Sequence, residues 1–411
     1  MQICKRGVAA LSLGICLSVF CGASDAQPAS LKQTAKLSAS DGAPNDLFGI
    51  SVAINSNTIV VGAPAARAGL GAAYVFVKGS KGWSNGTETA ELTASDASMN
   101  SSFGSSVAIF GNTIVVGSPS GNSFHGGVYV FVEPGGGWAN MTETAKLDDG
   151  LEDELGGSVA ISGNTIATGS AFRNAAYVFM EPSGGWKSTS VITAELTSSD
   201  TVFNDYFGFS ISVEEKEIAI GSVYATFNGK PGTGAVYVYK EPAAGWTTTQ
   251  TYDAKLTPSN GELDGYFGCS VSVAANSVLV GASLQTVKSN QLQGAAYIFV
   301  NPVGQTTETA KLTSSTAQAS SLFGTAVAIS PKGDKALIGA PVPQLEGTAY
   351  EYLEPAPGWK TTSRSHATLT DSPDTQSFAS ALALIESYAV VGNPYENGGG
   401  IQGAAYVFAL Q

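Results

Sequence analysis

Carboxylates are the side chains of this chain best suited to chemistry, and they concentrate in short segments that recur along the sequence. These segments hold Asp41, Asp46, Asp96, Asp200 and Asp205. Two carboxylates about 5 to 10 Å apart can hydrolyse a glycosidic bond, and a surface rich in carboxylates attracts cations or a basic partner. The same side chains also form turns. Because they occupy equivalent positions, we interpret them first as turn residues and second as part of a ligand-binding face.

One segment resembles a calcium-binding loop. Asn260, Glu262 and Asp264 place oxygen-bearing side chains at alternate positions, and Gly265 follows them. This spacing suits an oxygen-liganded cation, but the terminal bidentate carboxylate of such loops is missing. The three residues are therefore weak metal candidates. We expect no cofactor and keep calcium as an open alternative.

Two loops depart from the regularity of the rest of the chain, at 223–233 and 283–293. Binding residues are often carried by loops that a rigid scaffold positions. The first loop carries Tyr224, Phe227 and Lys230, which we take as candidate ligand contacts. Neutral variation in loop length is the alternative explanation.

These candidates are positioned by a unit that the chain repeats seven times. Each copy opens with an aromatic residue or its substitute, spaced 52 to 60 residues from the next. The opening residues are Phe48, Phe103, Leu155, Phe207, Phe267, Phe323 and Phe378. Every copy holds four short runs of apolar, β-branched residues separated by Gly, Asn, Ser and Pro, a pattern that predicts four antiparallel strands.

A four-stranded sheet with two apolar faces needs a neighbour on each side, and a ring of such sheets provides one for every copy. The sequence therefore predicts an all-β, seven-bladed β-propeller of four-stranded antiparallel blades. We assign the first strand of each copy as innermost. The chain begins its repeats with an outermost strand at 35–37 and ends with a third strand at 406–408, so we predict that the N-terminal strand completes the last blade.

The opening Phe48-Gly49 and the later Gly62-Ala63-Pro64 make the unit similar to the FG-GAP repeat, which also builds the propeller of the integrin α subunit. The resemblance covers nearly all of the chain after its first residues. It implies a propeller that binds ligands, adheres to partners or serves a structural role. Integrin-type propellers carry calcium loops between the first and second strands, whereas these hairpins are short here, as at 55–57, so the resemblance does not bring its metal sites with it.

The N-terminal residues and the net charge indicate where the protein is located and which partners it binds. Residues 1–26 combine Lys5 and Arg6, an apolar run and small residues, which predicts a secretory signal peptide. We expect residues 27–411 to form one domain without a membrane span. The net charge of −13 disfavours nucleic acid as a partner, since phosphate binding needs clustered Lys and Arg.

We therefore expect a secreted or extracytoplasmic monomer, in the periplasm or at the cell surface, that is not an enzyme and presents a binding or adhesive face to a protein or glycan. Two alternatives stay open. One is a hydrolase or lyase that acts on polysaccharides through carboxylates of the acidic segments. The other is a passive structural module of a cell-surface assembly.

Overall fold

The computed structural model describes residues 28–120, 126–150, 154–305, 307–342, 347–370, 375–396 and 402–410, so the predicted signal peptide lies outside it. Seven four-stranded antiparallel sheets dominate these residues. The innermost strands of successive blades contact one another around the ring, including the last blade against the first. The predicted seven-bladed propeller is confirmed. Within the described part of the chain, none of the helices has the length and apolar character needed to cross a membrane.

The two inner strands of each blade are joined by a short hairpin. The innermost strands of blades 1 to 7 are Ser51–Asn55, Ser106–Phe110, Ser158–Ser162, Phe207–Glu214, Phe267–Ala274, Val327–Ile329 and Ala381–Ile385. The second strands are Thr58–Ala63, Thr113–Gly117, Thr165–Ser170, Glu217–Ser222, Ser277–Ala282, Lys335–Ala340 and Tyr388–Asn393.

The two outer strands finish each sheet. The third strands are Ala72–Val77, Val128–Val132, Ala175–Met180, Ala235–Lys240, Ala295–Val300, Thr348–Leu353 and Ala404–Ala409. The outermost strands are Ala90–Thr93, Ala145–Leu147, Ala194–Leu196, Ala254–Leu256, Ala310–Leu312, Ala367–Leu369 and, for blade 7, Gln33–Leu37. Small additions are a helical turn at Ala66–Gly69, a 3-10 turn at Ala171–Arg173 and the two-residue strands Met141–Thr142, Thr375–Gln376 and Tyr395–Glu396.

The ring closes through the N-terminal strand, as the sequence predicts. Gln33–Leu37 runs antiparallel to Ala404–Ala409, with Lys36 opposite Tyr406. A further strand, Ala29–Leu31, was not expected. It pairs in parallel with Ala367–Leu369, the outermost strand of blade 6. The N-terminal segment thus completes one blade and covers the edge of the blade before it, which limits the unpaired backbone groups at which sheets associate.

Each blade is built around the aromatic residue that opens its repeat. Phe103 is buried and packs edge-on against Tyr129 and Phe131 of the third strand, at centroid distances of 5.3 and 6.1 Å. Equivalent aromatic contacts occur in five other blades. In blade 3 the position is held by Leu155, which is also fully buried.

The glycine of the Gly-Ala-Pro element is required by a close approach between blades. A Cβ atom added at Gly117 would lie 2.1 Å from the carbonyl oxygen of Gly156 in the next blade. The other six glycines at this position meet the neighbouring blade in the same way, at 1.9 to 2.3 Å. Any side chain here would force the blades apart, which explains why this glycine persists in every repeat.

Candidate functional site

One face of the ring gathers the residues that the sequence singled out. The segments that connect one blade to the next lie beside the loops between second and third strands, and hydrogen bonds join the two. The amide of Tyr224 donates to the carbonyl of Asp205 at 3.1 Å, and the Lys230 ammonium donates to the carbonyl of Gly261 at 2.9 Å. We call this surface the connection face.

Three of the candidate carboxylates bind side chains of their own blade. Asp96 accepts a 2.8 Å hydrogen bond from the Tyr129 hydroxyl and pairs with the Lys146 ammonium at 2.5 Å. Burial acts to raise the pKa of Asp96, but the hydrogen bonds from Lys146 and Tyr129 outweigh it and hold the pKa below its ordinary value. These contacts tie the connecting segment to the third and outermost strands.

The same arrangement recurs in blades 1 and 4. Asp200 pairs with the Lys255 ammonium at 2.5 Å, and its pKa is likewise lowered overall although burial alone would raise it. Asp41 accepts a 2.9 Å hydrogen bond from the Tyr74 hydroxyl. Repetition of one contact in several blades is what a framework role predicts. The acidic segments therefore help to hold the connections in place.

Asp46 and Asp205 form a second repeated contact. Each is buried, and each carboxylate accepts a hydrogen bond from the backbone amide three residues earlier, that of Ala43 at 2.7 Å and that of Val202 at 2.9 Å. Burial raises the pKa of both carboxyls, against the lowering effect of these amides. Both residues shape the turn that leads into the opening aromatic residue of the blade.

A row of four aromatic rings crosses the connection face from blade 3 to blade 5. We call Phe172, Tyr206, Tyr224 and Tyr266 the aromatic row. Adjacent ring centroids along it lie 6.4, 5.2 and 4.9 Å apart, and the hydroxyls of Tyr224 and Tyr266 are hydrogen-bonded. Phe172 is 60% exposed and the three tyrosines are partly exposed. The rings support one another yet keep part of their surface open to solvent.

Exposed apolar side chains also occur close in sequence to members of the aromatic row. Val202 and Phe203 precede Tyr206 in the same connection and are 66% and 77% exposed. Phe209 follows in the innermost strand of blade 4 and Leu263 lies in the next connection, and both are exposed as well. Apolar residues that cluster on one surface, rather than scatter singly, are typical of a binding site.

Of the aromatic row, the sequence alone indicated Tyr224. Tyr206 and Tyr266 occupy the position just before the opening aromatic residue, where blades 1 and 2 have Leu47 and Ser102. This departure from the repeat is the signal that could have identified them. Their proximity to Tyr224 could not be read from the sequence, because it depends on how the connecting segment and the loop pack across two blades.

The two irregular loops have the same structure. Phe227 and Lys230 exchange backbone hydrogen bonds of 3.2 and 3.0 Å, and Val287 and Asn290 do the same in blade 5. Phe227 is half-buried, whereas the Lys230 side chain reaches across to the next connection. The loop thus braces the connection face beside Tyr224, and the structure brings Tyr224 but not Phe227 into the aromatic row.

The weak metal candidates have partners within the protein. Asn260 accepts a 2.9 Å hydrogen bond from the Tyr297 hydroxyl, and Glu262 accepts one from the Thr286 amide. Asp264 is exposed and has a positive φ of 55°. Among the described residues, no group of three or more His, Cys, Asp or Glu side chains is arranged to hold a metal ion. The expectation of no cofactor stays a prediction, with calcium binding as its alternative.

Comparison with protein families gives five matches to one model, described as the FG-GAP repeat, at residues 31–76, 87–131, 191–239, 251–299 and 306–352. The matched windows contain the opening residues of blades 1, 2, 4, 5 and 6. The windows leave out the opening residues of blades 3 and 7, where Leu155 replaces the phenylalanine and Ala379 replaces the glycine. A search of curated proteins gave no match to the chain.

Proposed function

We propose, since the chain belongs to the FG-GAP repeat family, that this binding or structural propeller is exported and non-catalytic and presents its connection face to a protein or glycan. The aromatic row is the observation that carries the proposal. Partly exposed tyrosines supply a large contact area while losing little conformational freedom, and such residues dominate binding energy in recognition surfaces. The ligand contacts are Tyr206, Tyr224 and Tyr266, with Phe172 at one end of the row.

The acidic residues give the partner a charge preference. Asp264 and Asp41 are exposed on the connection face, and the chain as a whole carries a net charge of −13. Opposite charges around an apolar centre speed association and orient the partner. A partner with a basic rim, or an uncharged glycan that stacks on the rings, fits this surface better than a polyanion does.

Catalysis by carboxylates is the second candidate. Burial raises the pKa of Asp46 and the charge of Asp41 adds a smaller effect, and burial and the charge of Asp200 act in the same way on Asp205 in blade 4. A hydrolase or lyase site is normally a single departure from the repeat, whereas this pair recurs with framework contacts in both blades. That recurrence favours binding over catalysis.

A binding screen with an activity control tests the proposal. Purified protein carrying a fluorescent label is applied to a glycan array and to intact cells of the source, while the same glycans are assayed for cleavage products. Saturable binding without product supports the proposal. Product formation that Asp41→Asn abolishes would instead establish the hydrolase or lyase.

The proposal extends to export and to independence from calcium. N-terminal sequencing of protein recovered outside the cytoplasm should begin after Ala26, as the predicted signal peptide requires. Because a bound ion stabilises the folded state by mass action, thermal melts with calcium and with a chelator should coincide. A higher melting temperature with calcium would show a metal site and contradict this part of the proposal.

A further inference from the structure

Five blades place a tryptophan against the preceding blade. Trp83 of blade 1 packs edge-on against Tyr388 of blade 7, with ring centroids 6.4 Å apart. Trp359 of blade 6 donates from its indole nitrogen to the carbonyl of Gly333, in the hairpin between the two inner strands of its own blade, at 3.0 Å. Together, the two contacts place a tryptophan at this position of the repeat between the inner hairpin of its own blade and the start of the second strand of the preceding blade.

Blade 5 has no tryptophan at this position, because its connection between third and outermost strands is three residues shorter than in blade 2. A cavity of about 430 Å³ lies at the equivalent place between blades 4 and 5. Its volume falls within the range of small-ligand sites. It is lined by Glu214, Glu215, Lys216, Glu217, Lys240, Glu241, Val273, Ala275, Asn276 and Pro331.

The charges around this cavity are unbalanced. Four carboxylates face two ammonium groups. Lys240 pairs with Oε2 of Glu217 at 3.3 Å and Lys216 pairs with Glu241 at 3.5 Å. Two of the four carboxylates, those of Glu214 and Glu215, thus remain outside the ion pairs found among the described residues. Burial, followed by the charge of Glu215, raises the pKa of Glu214, which marks the ionised form as poorly compensated.

Glu217 provides a second, independent observation about this cavity. The residue is 8% exposed and its side chain 11% exposed, and within the described part of the chain Oε1 has no hydrogen-bond partner. A buried carboxylate oxygen without a donor is costly, and native structures rarely leave one. The wall of the cavity therefore contains an acceptor that lacks its donor.

We propose that this cavity, left by the missing tryptophan of blade 5, binds a guanidinium group carried on an aliphatic stem, such as an arginine side chain. A guanidinium presents five donors in a planar fork that suits carboxylates, and it keeps its charge at all relevant pH values. Its donors can satisfy Glu217 and reach Glu214 together. The stem packs on Val273, Ala275 and Pro331, in the space that an indole occupies in other blades.

The test uses N-acetyl-arginine amide as the probe and its uncharged citrulline analogue as the comparison. Binding is followed by saturation-transfer NMR on the full protein. Saturable binding of the arginine probe is expected, with at least a tenfold weaker response for the citrulline analogue. Glu217→Gln and, separately, Glu214→Gln should weaken arginine binding about tenfold, while each protein keeps the wild-type circular dichroism spectrum.

Glu351→Gln is the matched control. Glu351 is also buried and has an oxygen without a hydrogen-bond partner among the residues that the structure describes, but it does not line this cavity. Its substitution should leave arginine binding unchanged. The proposal is overturned if the arginine probe shows no saturable binding, if the citrulline analogue binds equally well, or if Glu217→Gln and Glu351→Gln have the same effect.

Discussion

The hydroxyl of Ser106 in blade 2 donates a 2.9 Å hydrogen bond to the carbonyl oxygen of Gly156 in blade 3. The equivalent bond joins each of blades 1 to 5 to the blade that follows, from donors Ser51, Ser106, Ser158, Ser210 and Ser270. Ala326 and Ala381 hold this position in blades 6 and 7 and have no hydroxyl to donate. The two junctions that flank the closing blade therefore lack this contact between blades.

Removing one such bond should weaken the ring measurably. Ser106→Ala leaves the Gly156 carbonyl without its side-chain donor, so we expect a loss of about 1 kcal/mol in the free energy of unfolding. The exposed Ser84→Ala is the control and should change nothing. Denaturant titration of both variants checks the prediction, and equal midpoints for the two proteins would refute it.

The glycine beside this bond should tolerate substitution even less. In Gly117→Ala the new methyl group would collide with backbone of the next blade, and relief of such overpacking costs about 1 to 3 kcal/mol or more. Gly136→Ala adds the same methyl group where no atom of the described residues lies within 4 Å. Thermal melts should show a clear fall in melting temperature for Gly117→Ala and none for Gly136→Ala. A Gly117→Ala protein as stable as wild type would mean that the blades are not packed this closely.

The repeat made much of this architecture predictable. The residues equivalent to Phe103 and Gly117 recur in every copy, so the blades, their strand order and a closing strand at 35–37 follow from the sequence. The role of Ala29–Leu31 does not, because three residues carry too little pattern to indicate a parallel strand. The aromatic row was also missed in part, since it forms between blades and depends on loop packing.

The N-terminal strands should contribute unequally to stability. A chain that begins at Gln33 loses the strand that covers blade 6, whereas one that begins at Ser38 also loses the outermost strand of blade 7 with its buried Ala35 and Leu37. Compared with a chain that begins at Pro28, we expect a modest fall in melting temperature for the first. The second exposes a sheet edge and should associate or fail to fold. Melting and size-exclusion chromatography measure both effects, and equal behaviour of the two truncated chains would contradict the closure.

Lowering the pH should change the contributions of two connection-face carboxyls to folding stability in opposite directions. A carboxyl whose pKa is lowered by folding, such as Asp96, stabilises the protein above its unfolded pKa of about 3.9 and loses this effect as the pH falls through its native pKa. Asp205, whose pKa is raised, destabilises the protein when ionised and is relieved as the pH falls.

The comparison is made with Asp96→Asn and Asp205→Asn, melted at intervals from pH 7 to pH 3. The advantage of wild type over Asp96→Asn should shrink across this range, while the difference between wild type and Asp205→Asn should shift in favour of wild type. Parallel pH profiles for the two variants would show that the pKa values are not displaced in opposite directions.

Binding through the aromatic row is the central claim, and a matched pair of surface variants tests it most directly. The double variant Tyr206→Ser, Tyr224→Ser removes the middle of the row, whereas Phe110→Ser removes a more exposed aromatic side chain at the end of the innermost strand of blade 2. The measurement is the dissociation constant of each protein for the glycan or protein identified by the screen. We predict a loss of at least tenfold for the double variant and none for Phe110→Ser; unchanged affinity of the double variant would contradict the account.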